Sequence, residues 1–239
     1  MAPVRVFTDW NSRPSDSAAP IQPYRRYYII SEGANTEFYY FKGLQKTLQR
    51  TVRLHSGIQI FPLEKTDADR NLSDPKKLIN FAEKIKKEDI SFDKTIDRMV
   101  IVFDADIFQN DDSTYNEIIR LGERNKENIL GVTNPSFELF LFLHYQDSYE
   151  QIIVPNAENI LKNEKNSSGR RFIDTLFSSY TRMNPKKNKN IDKLSEYVDT
   201  AIKQEKQLNQ NIYCCSGKLT SNIGKIIQSI MEDEPKFDK

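Results

Sequence analysis

Hydrophobic positions in the first part of the chain come in short runs separated by helical spacings. Residues 26–31, RYYIIS, predict a strand. Ala34-Asn35-Thr36 offers a helix start, and the helix continues from 37 to about 50. Residues 57–63 alternate apolar and polar positions, the period of a second strand. Ser73 or Asp74 caps a helix with Pro75 in its first turn, and Leu78, Ala82 and Ile85 fall on one face of it. Residues 99–103, MVIVF, are apolar throughout, as expected of a strand covered on both faces, and the run ends in Asp104-Ala105-Asp106. A helix over 113–126, a strand over 129–133 closed by Asn134-Pro135, and a strongly apolar helix over 136–145 follow. This alternation predicts an α/β domain over 25–150, with a mostly parallel central sheet flanked by helices.

Beyond residue 150 the pattern turns helical. Helices are predicted near 156–163, 170–182, 191–208 and 220–232, with Leu194, Val198, Ala201 and Ile202 on one face and Ile223, Ile226, Ile227 and Ile230 on another. Ile212-Tyr213-Cys214-Cys215 reads as a late strand. Residues 151–239 are therefore a helical elaboration that completes the domain. Residues 1–24 hold four of the ten prolines and show no periodicity, which predicts a flexible arm.

Composition changes this picture little. The chain has 239 residues, 38% hydrophobic and 29% charged, with a net charge of +1. That suits a soluble globular protein, and overall charge selects no partner. The two cysteines, Cys214 and Cys215, are adjacent, which points to a reducing compartment. The longest apolar burst, FELFLFLHY at 137–145, is about half of the ~18 residues a membrane span needs, and it contains Glu138. With no signal-like run at the start, the expectation is a cytoplasmic protein without membrane association.

Carboxylates mark the candidate chemistry. Glu32 follows the first strand, Asp104 and Asp106 follow the third, and Glu138 follows the fourth just after Asn134-Pro135. In an open α/β sheet, sites form at the carboxyl ends of the strands. Acids gathered there repel one another, and a hard divalent cation with oxygen ligands relieves the repulsion; Mg²⁺ suits a few carboxylates plus phosphate oxygens. Gly33 leaves room for a close approach. Glu37 reads as a first-turn carboxylate favoured by the helix dipole, and His144 as a hydrogen-bonded core residue.

Three segments carry a resemblance. EGANTEFYYF at 32–41 resembles the EGxxTExxYF motif of RloB-like proteins, VFDAD at 102–106 is similar to that family's Asp-x-Asp strand, and TNPSFELFLFLHY at 133–145 resembles its SNPCFELWLLLHF segment. Order and spacing agree across most of 26–145. Ser136 stands in place of cysteine and Phe140 in place of tryptophan, both compatible with packing. The family belongs to the Toprim superfamily. The resemblance implies phosphodiester chemistry dependent on Mg²⁺ or Mn²⁺, with Glu32 as general acid/base, Asp104 and Asp106 as catalytic metal ligands, and Glu32 and Glu138 as further carboxylates of the metal site. It also implies a role in prokaryotic anti-phage defence beside an ABC- or AAA-type ATPase, and a homodimer. Lys218, after the late strand, matches the lysine with which some Toprim nucleases stabilise transition-state charge. No glycine follows the Asp-x-Asp as in topoisomerases and primases, and no GxxxxGK[ST] motif is present.

Charge is segregated. From 162 to 189 there are eight basic residues against Glu164 and Asp174, a net +6. Arg170, Arg171, Arg182, Lys186, Lys187 and Lys189 are the expected nucleic-acid contacts, holding the backbone of tRNA, other RNA or DNA while the metal acts on one phosphate. The expectation is a metal-dependent endonuclease. The alternative is a non-catalytic nucleic-acid-binding or ATPase-regulating subunit.

Overall fold

The structure is a computed structural model, and it describes residues 24–33, 35–65, 74–88, 90–108, 111–186 and 189–234. Most of the expected N-terminal arm, and with it Ala34, Ser73 and Lys187, lies outside the described residues.

Five strands form one sheet in the order β2-β1-β3-β4-β5. They are β1 (Arg25–Ser31), β2 (Ile58–Pro62), β3 (Arg98–Asp104), β4 (Asn128–Asn134) and β5 (Thr220–Ser221). The first four run parallel, and β5 lies antiparallel on β4, with Thr133 opposite Ser221 and Asn134 opposite Thr220.

The central strands are apolar on both faces because both are covered. Tyr27 and Ile29 of β1, with Val100 and Val102 of β3, join one core with α1 (Thr36–Arg50), α4 (Glu138–Phe142), α7 (Val198–Glu205) and α8 (Ile223–Met231). Tyr28 and Ile30, with Met99, Ile101 and Phe103, join the opposite core with α2 (Pro75–Glu88) and α3 (Asp112–Gly122). Local capping fits the sequence: the Asp74 side chain accepts from the backbone N–H of Lys77 at 2.9 Å, and that of Asp111 from Thr114 at 3.0 Å. On β4, Gly131 admits α8, since a Cβ there would stand 2.9 Å from Ile223 Cδ1.

The chain leaves β1 through α1 to reach β2 on one side. It then crosses by α2, on the opposite face, to β3 on the other side of β1. The strand order reverses at β1, so a crevice opens beyond the carboxyl ends of β1 and β3.

The C-terminal region departs from the periodicity in three places. The expected strand at 212–215 is a turn: Cys214 N–H donates to Asn211 O, and Ile212 O accepts from Tyr115 Oη at 2.6 Å. The late strand is instead Thr220–Ser221, and α8 begins after it because the Asn222 side chain is spent on the edge of β4. That amide donates to Leu130 O at 2.8 Å and accepts from Val132 N at 2.7 Å. The helix expected over 191–208 divides into a 3-10 stretch, Lys189–Tyr197, and α7. The remaining helices, α5 (Ala157–Lys162) and α6 (Phe172–Thr181), lie where the spacing puts them. Among the described residues no helix is long and apolar enough to cross a membrane.

Candidate functional site

The parallel register sets Ser31 beside Val102 and Asp104 beside Thr133, so the strands deliver their next residues to one place. A cleft of about 530 Å³ opens there, lined by six acids, Glu32, Glu37, Asp104, Asp106, Glu138 and Asp174, and by two cations, Arg171 and Lys186.

Each acid is held by its own contacts. Glu32 is fixed through its backbone N–H to Val102 O at 2.8 Å, and its Oε2 accepts from Asp104 N at 3.2 Å. The Lys65 ammonium donates to the Glu32 carbonyl. Thr133 Oγ1 donates to Asp104 Oδ1 at 2.6 Å. Asp106 opens a 3-10 turn, Asp106–Phe108, that follows β3 directly and keeps it on the cleft. Glu138 begins α4 and accepts from Ser136 Oγ at 2.6 Å. Glu37 lies in the first turn of α1, and a Cβ on Gly33 would collide with its carboxylate. That collision explains the glycine of the Glu-Gly pair: it makes room for the second glutamate.

Burial and mutual repulsion favour the neutral forms. Burial pushes the Glu32 carboxyl up to about 7 against the Asp104 N–H bond, and Glu37 and Asp106 add to the rise. Glu138 is pushed up to about 7 by burial and then by Asp174. Burial raises Asp104 well above the usual carboxylate range, with further repulsion from Glu32, Glu37 and Glu138. Glu37 and Asp106 are raised by burial as well, opposed at Glu37 by a hydrogen bond from its own backbone N–H and then by Lys65, and at Asp106 chiefly by Arg171.

The expected basic contacts divide. Arg171 Nη1 lies 2.6 Å from Asp106 Oδ2, and Lys186 Nζ lies 2.6 Å from Asp174 Oδ2, so both face into the cleft. Arg170 instead turns along α6, donating to Ser178 Oγ at 2.7 Å, and Arg182 is exposed at the end of that helix with φ +57°. Lys189 opens the 3-10 stretch, and Lys187 falls outside the described residues. Lys218 is displaced from its expected place: it does not line the cleft, and its Nζ sits 3.0 Å from Cys214 Sγ. The reason is local, since the Lys218 carbonyl accepts from Asn134 Nδ2 at 2.9 Å in the turn that leads into β5. His144 is a core residue, 2.9 Å from Tyr40 Oη, and burial lowers it to about 4.

By sequence, Asp174 is only one of two acids opposing the basic residues of 162–189. In the structure it is buried in the first turn of α6, facing the cleft. One signal was available: it is the sole acid between Lys165 and Lys186. Glu37, read as a dipole carboxylate, is a cleft acid too.

The donors offered here are carboxylate and hydroxyl oxygens, which fit a hard cation such as Mg²⁺ or Mn²⁺. Among the described residues no three His, Cys, Asp or Glu side chains are already drawn together to hold an ion. Two of the acids are engaged by the protein's own cations instead. A second cavity, of about 520 Å³, lies between α8 and the 210–213 turn, walled by Tyr27, Ile129, Ile226 and Ile230, and none of the expected site residues reaches it.

No curated protein and no solved structure matches this chain. A family model described as RloB-like protein matches residues 27–230, a span that takes in every acid and both cations of the cleft, and the chain belongs to the RloB-like family.

Proposed function

We propose that the cleft hydrolyses phosphodiester bonds of nucleic acid with a divalent cation bound. The observation that supports this most is the gathering of six carboxylates, from the ends of β1 and β3 and from α1, α4 and α6, beside two cations in one crevice at the reversal of strand order. Glu32, Asp104 and Asp106 would hold the metal, with Glu138 completing its surroundings. When bound it would supply Lewis-acid polarisation of a phosphate oxygen and a more acidic water.

The remaining work falls to the protein's side chains. Glu32, seated at the strand end by the Asp104 N–H, would be the group that accepts or returns a proton, as the family resemblance implies. Arg171 and Lys186 would neutralise phosphate oxygens. Arg170 and Arg182, on the outer part of α6, would meet the flanking backbone in a salt-dependent way. Following the family resemblance, we place this activity in a toxic effector of anti-phage defence, restrained by a partner ATPase.

The second reading, a non-catalytic nucleic-acid-binding or ATPase-regulating subunit, draws on one observation: the acids are not yet assembled into an ion shell. One assay separates the two. Purified protein is incubated with plasmid DNA and with total tRNA in Mg²⁺, Mn²⁺ or EDTA, beside an Asp104→Ala/Asp106→Ala variant. Metal-dependent cutting lost in the variant is the expected result and identifies the substrate class. Binding without cutting, unchanged by adding the partner ATPase, rejects the nuclease reading.

A further inference from the structure

Two ion pairs cross the cleft, one joining Asp106 to Arg171, the residue just before α6, and the other joining Asp174 to Lys186 in the loop after it. The side chains of Asp106 and Asp174 are only 9% and 7% exposed, while those of their partners Arg171 and Lys186 are 36% and 59% exposed. The acids are therefore fixed in the wall, and the cations reach in from the solvent side. The main chain that carries Arg171 is well anchored: Phe172 N–H donates to Glu164 O, Thr175 N–H donates to Arg171 O, and Asn166 Oδ1 closes the preceding turn by accepting from Ser168 N and Arg170 N, both at 3.0 Å. Arg171 can thus change partner by side-chain rotation alone, without moving α6.

Without a cation, six acids share one cleft, and these pairs relieve part of the repulsion. They also bind Asp106 and Asp174 to positive groups, in keeping with the absence of an assembled ion shell among the described residues. A divalent ion entering among Glu32, Asp104 and Asp106 would compete directly with the Arg171 guanidinium for Asp106. The displaced guanidinium, still tethered at the rim, would then be released from Asp106 and free to meet a phosphate entering the cleft. A guanidinium matches phosphate as well as carboxylate, because both offer paired oxygens to its planar fork.

Resting on the nuclease reading above, we infer that Arg171 and Lys186 are exchange residues, which occupy Asp106 and Asp174 in the cation-free protein and pass to the substrate phosphodiester when the cation binds. Cation and nucleic acid then bind cooperatively: each removes the other's competitor. The reciprocity is thermodynamic, so it can be measured from either side and without turnover.

The test uses the full chain and Mn²⁺ binding followed by calorimetry, alone and with a short single-stranded oligonucleotide, RNA or DNA, carrying cleavage-resistant phosphorothioate linkages. For the wild type, the oligonucleotide should tighten Mn²⁺ binding by about tenfold. Arg171→Gln should bind Mn²⁺ alone at least as tightly as the wild type, and its coupling should fall to about twofold or less. Arg171→Lys, which keeps the charge but loses the fork, should lie between them. Lys186→Gln, altering an exposed ammonium, repeats the test on the second pair and guards against a folding defect at Arg171. If Arg171→Gln and Lys186→Gln both weaken Mn²⁺ binding and leave the coupling intact, the pairs are structural braces and the inference fails while the nuclease reading stands. If the wild type binds no Mn²⁺, both fail together.

Discussion

Glu32 Oε2 accepts a hydrogen bond from the backbone N–H of Asp104 at 3.2 Å, so the acid that ends β1 is seated by the residue that ends β3. The contact follows from register: β1 and β3 run parallel with Ser31 beside Val102, and Glu32 N–H continues the ladder onto Val102 O. A side chain held by a strand end is positioned without a rotamer search, which is what proton transfer at a fixed point requires.

Glu32→Gln keeps an oxygen for the Asp104 N–H and removes the titratable group. The fold should survive, with a melting temperature equal to or above that of the wild type, because one repelling carboxylate is gone. Metal-dependent cleavage should fall by roughly 10²–10⁴-fold. Full activity in this variant would exclude Glu32 as the proton-transfer group.

The cleft also predicts how stability varies with pH. Glu32 and Glu138 are both raised to about 7 when folded, chiefly by burial. Each binds its proton more tightly in the folded chain, so this contribution is fully present below the ordinary carboxyl range and is lost as pH rises through about 7. His144, lowered to about 4, works in the other direction and removes stability as pH falls below the usual imidazole range. Thermal melting in EDTA should therefore drop by about 3 °C or more between about pH 6 and about pH 8, some ~1 kcal/mol in a chain of this size. Glu138→Gln should flatten that slope, and saturating Mn²⁺ should abolish it. A profile that rises over the same interval would contradict burial as the cause of the two shifts.

Lys218 tests where sequence and structure part. Its place after a predicted strand suggested a cleft lysine, but its ammonium rests on Cys214 Sγ and its carbonyl on Asn134 Nδ2. Lys218→Ala should leave cleavage within about twofold of wild type, as for an exposed surface change. A loss beyond about tenfold would restore it to the site.

The acids that were legible share a local property: Glu32, Asp104, Asp106 and Glu138 each stand at or just beyond a strand that the apolar pattern reveals by itself. Asp174 has no such marker, because it reaches the cleft only through the packing of α6 beside α4 and over the strand ends, and tertiary packing has no short-range signature. The same limit applies to β5. Two residues hold no period, and the strand exists because Asn209 and Asn222 tie the chain to its surroundings: Asn209 N–H donates to Leu219 O, and Asn222 binds β4 through Leu130 and Val132. In the 3-10 stretch the amphipathic face was readable while the helix type was not, since Leu194 is buried under either winding.

Glu205 offers a last prediction, about the support behind the cleft. It is completely buried, and its carboxylate accepts from Ser221 Oγ at 2.6 Å, Gly224 N at 2.8 Å, Lys225 N at 2.8 Å and Gln210 Nε2 at 2.9 Å. Burial pushes this carboxyl up, and the four donors hold it down. Two of those donors are orphan N–H groups at the start of α8, so a residue of α7 caps a helix it does not belong to, where the dipole favours negative charge. The third, Ser221, belongs to β5, which pairs with Thr133, and Thr133 in turn hydrogen-bonds Asp104. Glu205→Gln sets an amide N–H₂ against the backbone N–H of Gly224 or of Lys225, neither of which can accept, so at least one buried donor is left unpaired. The expected loss is about 2–3 kcal/mol, or ~5–10 °C in melting temperature. Hydrogen exchange should quicken first over 220–231, and Mn²⁺ affinity should weaken because Asp104 loses the support of Thr133. Unchanged exchange in α8 with an unchanged melting temperature would mean that the helix is held by its apolar face alone, through Ile223, Ile226, Ile227 and Ile230 against the sheet.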